Sequence, residues 1–363
     1  MMEAPPREQT LVTQFLESLR EVPGVRPDLR RVESKPGEDA PGCDAQVNLH
    51  VGGRSLTLRV EVKKSIYPRD VRQILWQLKG QNRPWHSSNS ETQTVLAAEA
   101  ISPGAKELLR AEQVGYFDSG GSLFLPARGA YLYIDKPPPK ALERSVRSIF
   151  SGRRARVLHA LLAHPRDWFG VTEIAQEAGV APSTASEVLS QLDRFECLTS
   201  RGQGAGKERQ LREPGELLDT WAKQQALVRA PVMRRYYVPG VQPDALLAQL
   251  ADKFDSRQIE YAVSYEAAAQ RYAPFLSCVS QVRVRVPVIL QAEAVIAELD
   301  ARSVTEGSNL AVVATNSSGE LLFREKIGGI WLASPVQVYL DLLRSEGRAK
   351  ELAEHLRKER IGI

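Results

Sequence analysis

Little in this chain of 363 residues suits an oxidising or membrane setting. Cysteine is scarce: Cys43, Cys197 and Cys278 are odd in number, far apart and at no metal-binding spacing. That pattern argues against a disulfide framework or a zinc site and for a reducing cytoplasm. No apolar run approaches the roughly 20 residues of a membrane span, and the start MMEAPPREQT does not read as a signal peptide. Internal repeats are also missing. A strong charge of one sign is lacking too: the net charge is +4 and the pI about 8.9, so any surface for nucleic acid must be local. The remainder, 43% hydrophobic and 25% charged, is ordinary globular composition, and the length allows two or three domains with real cores.

The most informative stretch runs from Arg153 to Leu211. Val157, Leu158, Leu161 and Leu162 recur at helical spacing. Thr172 to Ala175 opens a short second helix, and Gly179 sits where a tight turn between helices needs positive φ. Pro182 suits the first turn of a third helix, on which Val188, Leu189 and Leu192 face inward. Ser183, Thr184, Ser186, Glu187, Gln191 and Arg194 face out, as an element lying in a major groove requires. Leu198 to Arg201, a glycine-rich tip (Gly202, Gly204, Gly206) and Lys207 to Leu211 read as a hairpin wing with basic residues for phosphates. The stretch resembles the winged helix-turn-helix domains of bacterial transcription regulators. DNA binding is the expectation; a winged helix used only for protein contacts is the alternative.

Ahead of it, residues 9–22 form an amphipathic helix and 34–42 an acidic, Pro- and Gly-rich loop. Ala45–His50 and Ser55–Val62 make a hairpin about Gly52-Gly53. Residues 69–80 are a helix, 94–101 a buried strand, and 103–113 a helix capped by Ser102; a strand pair follows about a glycine turn at 116–125. Asp44 precedes the first strand of the hairpin, and Glu61 and Lys63 end the second. Two carboxylates about a strand apart can share one Mg²⁺, and a lysine two residues beyond Glu61 points to the same face. This D…ExK arrangement resembles the PD-(D/E)xK restriction-endonuclease-like superfamily. Gln73 and Gln77 stand where that resemblance places a helper glutamine, and Glu17 or Glu21 could add an acid. The alternative is a structural ion pair between Glu61 and Lys63.

Pro137-Pro138-Pro139 reads as a stiff linker, and Arg144, Arg147, Arg153, Arg154 and Arg156 cluster after it. Beyond the wing, Leu217, Leu218 and Trp221 form a packing helix, and residues 229–242 a basic aromatic strand or linker. An α+β region completes the chain. A nucleotidyltransferase scaffold there would need a D-x-D pair. Arg283-Val284-Arg285 stands in that place, so a non-catalytic surface is expected.

Three stretches, LAAEAISPGAKELLRAEQVGYFDSGGSLFL, the winged helix ending in PGELLDTWA, and SPVQVYLDLLRSEGRAKELAEHLRKE, resemble the AbiEi-type antitoxins and transcriptional regulators of type IV toxin–antitoxin systems. The form resembled is a long one with an endonuclease-like module at its start. The resemblance implies a DNA-binding repressor of its own operon, with a nucleotidyltransferase-type toxin as neighbour. The expected fold is therefore multidomain, α/β and α+β. Residues 1–135 form an endonuclease-like α/β domain, 136–152 a linker, 153–228 a winged helix-turn-helix and 229–363 a non-catalytic, nucleotidyltransferase-like α+β domain. Ser183, Thr184, Ser186 and Gln191 are expected to read bases, with Arg194 on the same face, while Arg201, Lys207 and Arg209 hold phosphates. The partners expected are double-stranded DNA, the toxin and a second copy of the chain, with no membrane and no cofactor. The competing expectation is a Mg²⁺-dependent deoxyribonuclease with Asp44, Glu61 and Lys63 as its catalytic set and Asp44 and Glu61 as metal ligands.

Overall fold

A computed structural model describes residues 7–32, 43–80, 92–127, 130–315 and 318–363. The loop expected at 34–42, and Ser317 in an expected turn, lie outside them. The chain divides into two compact units, Met1–Val146 with Gln191–Glu196, and Arg147–Ser190 with Cys197–Ile363.

The first unit is built on a seven-stranded sheet in sequential order. Its elements are α1 (Arg7–Arg20), β1 (Val25–Val32), β2 (Ala45–Val51), β3 (Arg54–Ile66), α2 (Pro68–Gly80), β4 (Thr92–Ile101), α3 (Pro103–Ala111), β5 (Gly115–Asp118), β6 (Leu123–Ala127) and β7 (Ala130–Ile134). Strands β3, β4 and β5 run parallel, and the other neighbours are antiparallel. Gly52 and Gly53, at φ 57° and 78°, make the tight β2–β3 turn that positive φ at both centres allows. On one face α1 lays Leu11, Phe15 and Leu19 over Val47, Leu49, Val60 and Val95. On the other, Val71 and Leu75 of α2 and Leu109 of α3 cover Ile66, Leu96 and Ala98. Ser102 caps α3 as expected, accepting from the Ala105 N–H at 3.3 Å.

Two strands depart from the sequence expectation. β1 reads VRPDLRRV, whose charges and Pro27 hide any period-two pattern. Both are tolerated because β1 is an edge strand with one side unpaired. β7 forms the other edge, from residues for which no element was expected. The linker itself contains a helix, α4 (Lys140–Ile149), with Leu142 and Ile149 buried.

The second unit holds α5 (Gly152–Ala163), α6 (Val171–Glu177), α7 (Pro182–Arg194, whose last residues group with the first unit), β8 (Leu198–Arg201), β9 (Glu208–Leu211) and α8 (Pro214–Ala226). A mixed sheet follows, from β10 (Met233–Tyr237), β11 (Ala262–Ser264), β12 (Val282–Val286), β13 (Arg302–Ser303), β14 (Leu310–Ala314), β15 (Glu325–Ile327) and β16 (Ile330–Leu332). Its order is β13-β10-β14-β12-β11-β16-β15. It carries α9 (Pro243–Ser256), α10 (Tyr265–Tyr272), α11 (Ile289–Ala297), α12 (Pro335–Leu342) and α13 (Ala349–Leu356).

The winged region and this sheet were expected as separate domains; they share packing. The buried His159 ring of α5 stacks on Phe323 at 4.6 Å and hydrogen-bonds Ser334. Arg357 binds Asp219 of α8 at 2.7 Å. Among the described residues no helix is long and apolar enough to cross a membrane.

Candidate nucleic-acid interface

Helices α5, α6 and α7 close on one small core of Leu158, Leu161, Ile174, Ala185, Val188 and Leu189, all fully buried. Gly179 has φ 58°, and the Val180 N–H bonds the Ala175 carbonyl at 2.9 Å, so the α6–α7 turn takes the left-handed step that glycine permits. The turn leaves α7 with an apolar underside and a polar outer face. On that face Ser183 is exposed and Thr184 and Ser186 are half-buried. Their small polar groups near a helix N-terminus are free to meet base edges or phosphate.

The wing is a two-stranded antiparallel ladder with Arg201 opposite Glu208 and Leu198 opposite Leu211. A bridge between Phe169 and Arg209 adds a third segment, with N–H to carbonyl distances of 2.8 and 2.9 Å. At the tip, Gly202 has φ 73°, and a Cβ there would come within 2.5 Å of the Gly206 carbonyl oxygen; only glycine closes this turn. Arg201 is exposed, pairs with Glu208 at 2.7 Å and lies 4.3 Å from the Trp168 ring centre. Lys207 is half-buried beside the tip.

Three expected contacts sit elsewhere. Arg209 alternates with the exposed side of the wing and is only 7% exposed, a placement unsuited to a phosphate contact. The period-two alternation of β9, which buries Leu211, also buries Arg209. Arg194 groups with the first unit, where it bonds Asp70 at 3.0 Å and Ser65 at 3.1 Å and lies over the Tyr67 ring. Gln191 is half-buried, with its amide oxygen enclosed. Two further residues shape the face, of which the sequence reading named Arg154 only as one of an arginine cluster and missed Trp168. Trp168 stacks under Arg201, and Arg154 of α5 binds Glu187 of α7. The aromatic next to Phe169 and the arginine run that opens α5 were the signals for them.

Residues 152–200 match the IclR helix-turn-helix domain. The chain thus carries a winged helix-turn-helix of a type found in DNA-binding regulators. No curated protein and no solved structure matches the chain.

In the first unit, Asp44 accepts the Val62 N–H at 2.6 Å, and the register Ala45↔Val60 extended by one residue sets it opposite Glu61. Glu61 pairs with Lys63 at 2.6 Å. Glu61 and Lys63 lie level with Leu96 and Ala98 of β4, on the face that α2 and α3 cover. Asp44 thus stands across from Glu61 in the β2–β3 register, and Glu61 is paired with Lys63. Glu17 and Glu21 do not join them, because α1 packs against the opposite face. Gln73 is exposed on α2, as is Gln77. Among the described residues no group of three or more His, Cys, Asp or Glu stands ready to hold a metal ion. The donor set is two carboxylates, a hard-oxygen pair of the kind Mg²⁺ accepts alongside water and phosphate.

In the C-terminal sheet, Arg285 is 3% exposed. It binds Asp341 at 3.0 Å and Glu320 at 2.8 Å, while Ser264 and Gln337 donate to Asp341 at 2.5 and 2.9 Å. Burial works against the Arg285 charge, yet the two carboxylates hold its pKa above the usual guanidinium value. The place of a metal-binding D-x-D pair is thus taken by a buried, paired ion network.

Proposed function

We propose that this chain is a sequence-specific transcription regulator that binds duplex DNA through α7 and the β8–β9 wing. The observation that carries this is the outer face of α7, with Ser183, Thr184 and Ser186 displayed over a fully apolar underside in the segment that matches the IclR helix-turn-helix. Arg201 and Lys207 on the wing supply the flanking phosphate contacts, and the net charge of +4 leaves specificity to base contacts rather than to a general basic field. In finer terms the protein acts as an AbiEi-type repressor of its own operon, as a homodimer, beside a nucleotidyltransferase-type toxin. The resemblance of the three quoted stretches supports that reading, and the arginine pair in place of D-x-D suits a non-catalytic partner. A gel shift on the DNA upstream of the gene tests it. The expected result is a shifted, intact band that specific competitor removes and unrelated DNA does not. Equal competition by both would overturn sequence-specific regulation.

A second reading is favoured by the neighbouring placement of Asp44, ahead of β2, and Glu61 and Lys63 on β3. In it the first unit, whose order α1-β1-β2-β3-α2-β4 resembles the endonuclease-like core, is a Mg²⁺-dependent deoxyribonuclease. Asp44 and Glu61 would hold the ion, which would polarise the phosphate when bound, and the Lys63 ammonium would neutralise charge developing there. Incubating DNA with Mg²⁺ or Mn²⁺ decides it: cleavage must occur and must vanish in Glu61→Ala and Lys63→Ala.

A further inference from the structure

Within the second unit, between α5, α8, the end of α4 and the C-terminal sheet domain, lies a cavity of about 350 Å³. That is the size of a small-ligand site. Phe150 and Trp221, a tilted aromatic pair with ring centres 6.3 Å apart, give it one apolar wall, and Arg147, Arg156, His159 and Glu320 supply its polar lining.

Two residues that line this space carry an unspent donor. Trp221 is 2% exposed, and its indole N–H has no partner; the Nε of Arg156 is likewise buried without one. An indole N–H can only donate, and a buried donor left unpaired is costly, so an acceptor within its reach would be held.

The charge balance says which acceptor. Among the described residues neither Arg147 nor Arg156 has a carboxylate partner; Arg156 has a single long contact of 3.5 Å to the Gly179 carbonyl. Glu320, the acid in the lining, shares Arg285 with Asp341, so a single negative charge stands against two arginines. His159 stays uncharged because burial pushes its pKa down to about 3. The lining is therefore net positive. Arg156 lies close against Gly319, where a Cβ would collide with its guanidinium.

We propose that this cavity binds a small organic carboxylate on a flat apolar body, its oxygens taken by Arg156 and the Trp221 N–H and its body laid against the Phe150–Trp221 pair. A guanidinium suits a carboxylate better than a point charge does. The site does not depend on the DNA-binding reading.

Isothermal titration calorimetry on the full chain tests it, with benzoate and indole-3-acetate as probes and benzamide and inorganic phosphate as controls. Trp221→Phe keeps the ring and deletes the N–H; Arg156→Gln keeps most of the volume and deletes the charge. The expected result is millimolar or tighter binding of at least one carboxylate and much weaker binding of both controls. Arg156→Gln should lose roughly tenfold or more and Trp221→Phe roughly threefold to tenfold, as loss of a charge-assisted and a neutral hydrogen bond implies. Binding by neither carboxylate shows the donors are met by water and overturns the proposal. So does equal binding of benzamide, or affinity unmoved by both substitutions while circular dichroism shows them folded.

Discussion

Arg154 grips both carboxylate oxygens of Glu187 through one guanidinium nitrogen, at 2.7 and 2.9 Å. Glu187 stands on α7 beside Ser183 and Ser186, where a bare carboxylate would repel the phosphate backbone. Both partners are partly exposed, so the pair contributes on the order of 1 kcal/mol or less to stability; its larger effect is on the charge of the DNA-facing surface. Arg154→Ala should weaken binding to every duplex, Glu187→Gln should strengthen it, and the double variant should return near the starting affinity. Fluorescence anisotropy on a labelled duplex reads all three. An Arg154→Ala protein with unchanged affinity would remove the pair from the account.

On the wing, Arg201→Ala and Lys207→Ala should each lower affinity for specific and unrelated DNA alike. Each should also flatten the dependence of log K on log salt by about one unit, as loss of one phosphate contact does. Arg209→Ala is expected to behave differently. Its buried side chain packs the wing, so the loss should appear as a lower Tm with the salt slope nearly kept. A salt slope that drops for Arg209→Ala alone would reverse the assignment.

His159 makes stability pH-dependent. Its pKa is pushed from 6.5 to about 3 by burial, so between those values the unfolded chain carries a proton that the folded chain does not. Stability therefore rises with pH in this window: it is fully present above about 6.5 and erodes as pH falls towards 3, by up to roughly 1.4 kcal/mol per pH unit. His159→Gln should shallow the acid limb of a plot of denaturant-derived stability against pH. Equal acid limbs in the two proteins would refute the assignment.

The Arg285–Asp341 network should be intolerant of half-removal. Asp341→Ala leaves Arg285 buried with one partner instead of two and should cost about 3–5 kcal/mol in urea unfolding. Glu320→Ala, at a rim that is 19% exposed, should cost less. Equal and small losses would mean that Arg285 reaches water.

Leucine spacing, Gly179 and Pro182 made the helices of the winged domain legible, because helix period, a left-handed turn and a first-turn proline are local properties. The β2–β3 hairpin was equally plain from alternation about Gly52-Gly53. β1 was not, since an edge strand with Pro27 and four charges, Arg26, Asp28, Arg30 and Arg31, needs no alternation of its own: its partner β2 supplies the register.

The site divides along the same line. That Ser183, Thr184 and Ser186 share a face follows from 100° steps along a helix, and that Glu61 and Lys63 share one follows from the period of a strand; the sequence alone determines both. Which basic residues remain free did not follow. Burial of Arg209, capture of Arg194 by Asp70, the clamp of Arg154 on Glu187 and the unspent donors of Arg156 and Trp221 all depend on partners far away in the chain. Charge pairing is settled by proximity in space, and only the tertiary structure decides that.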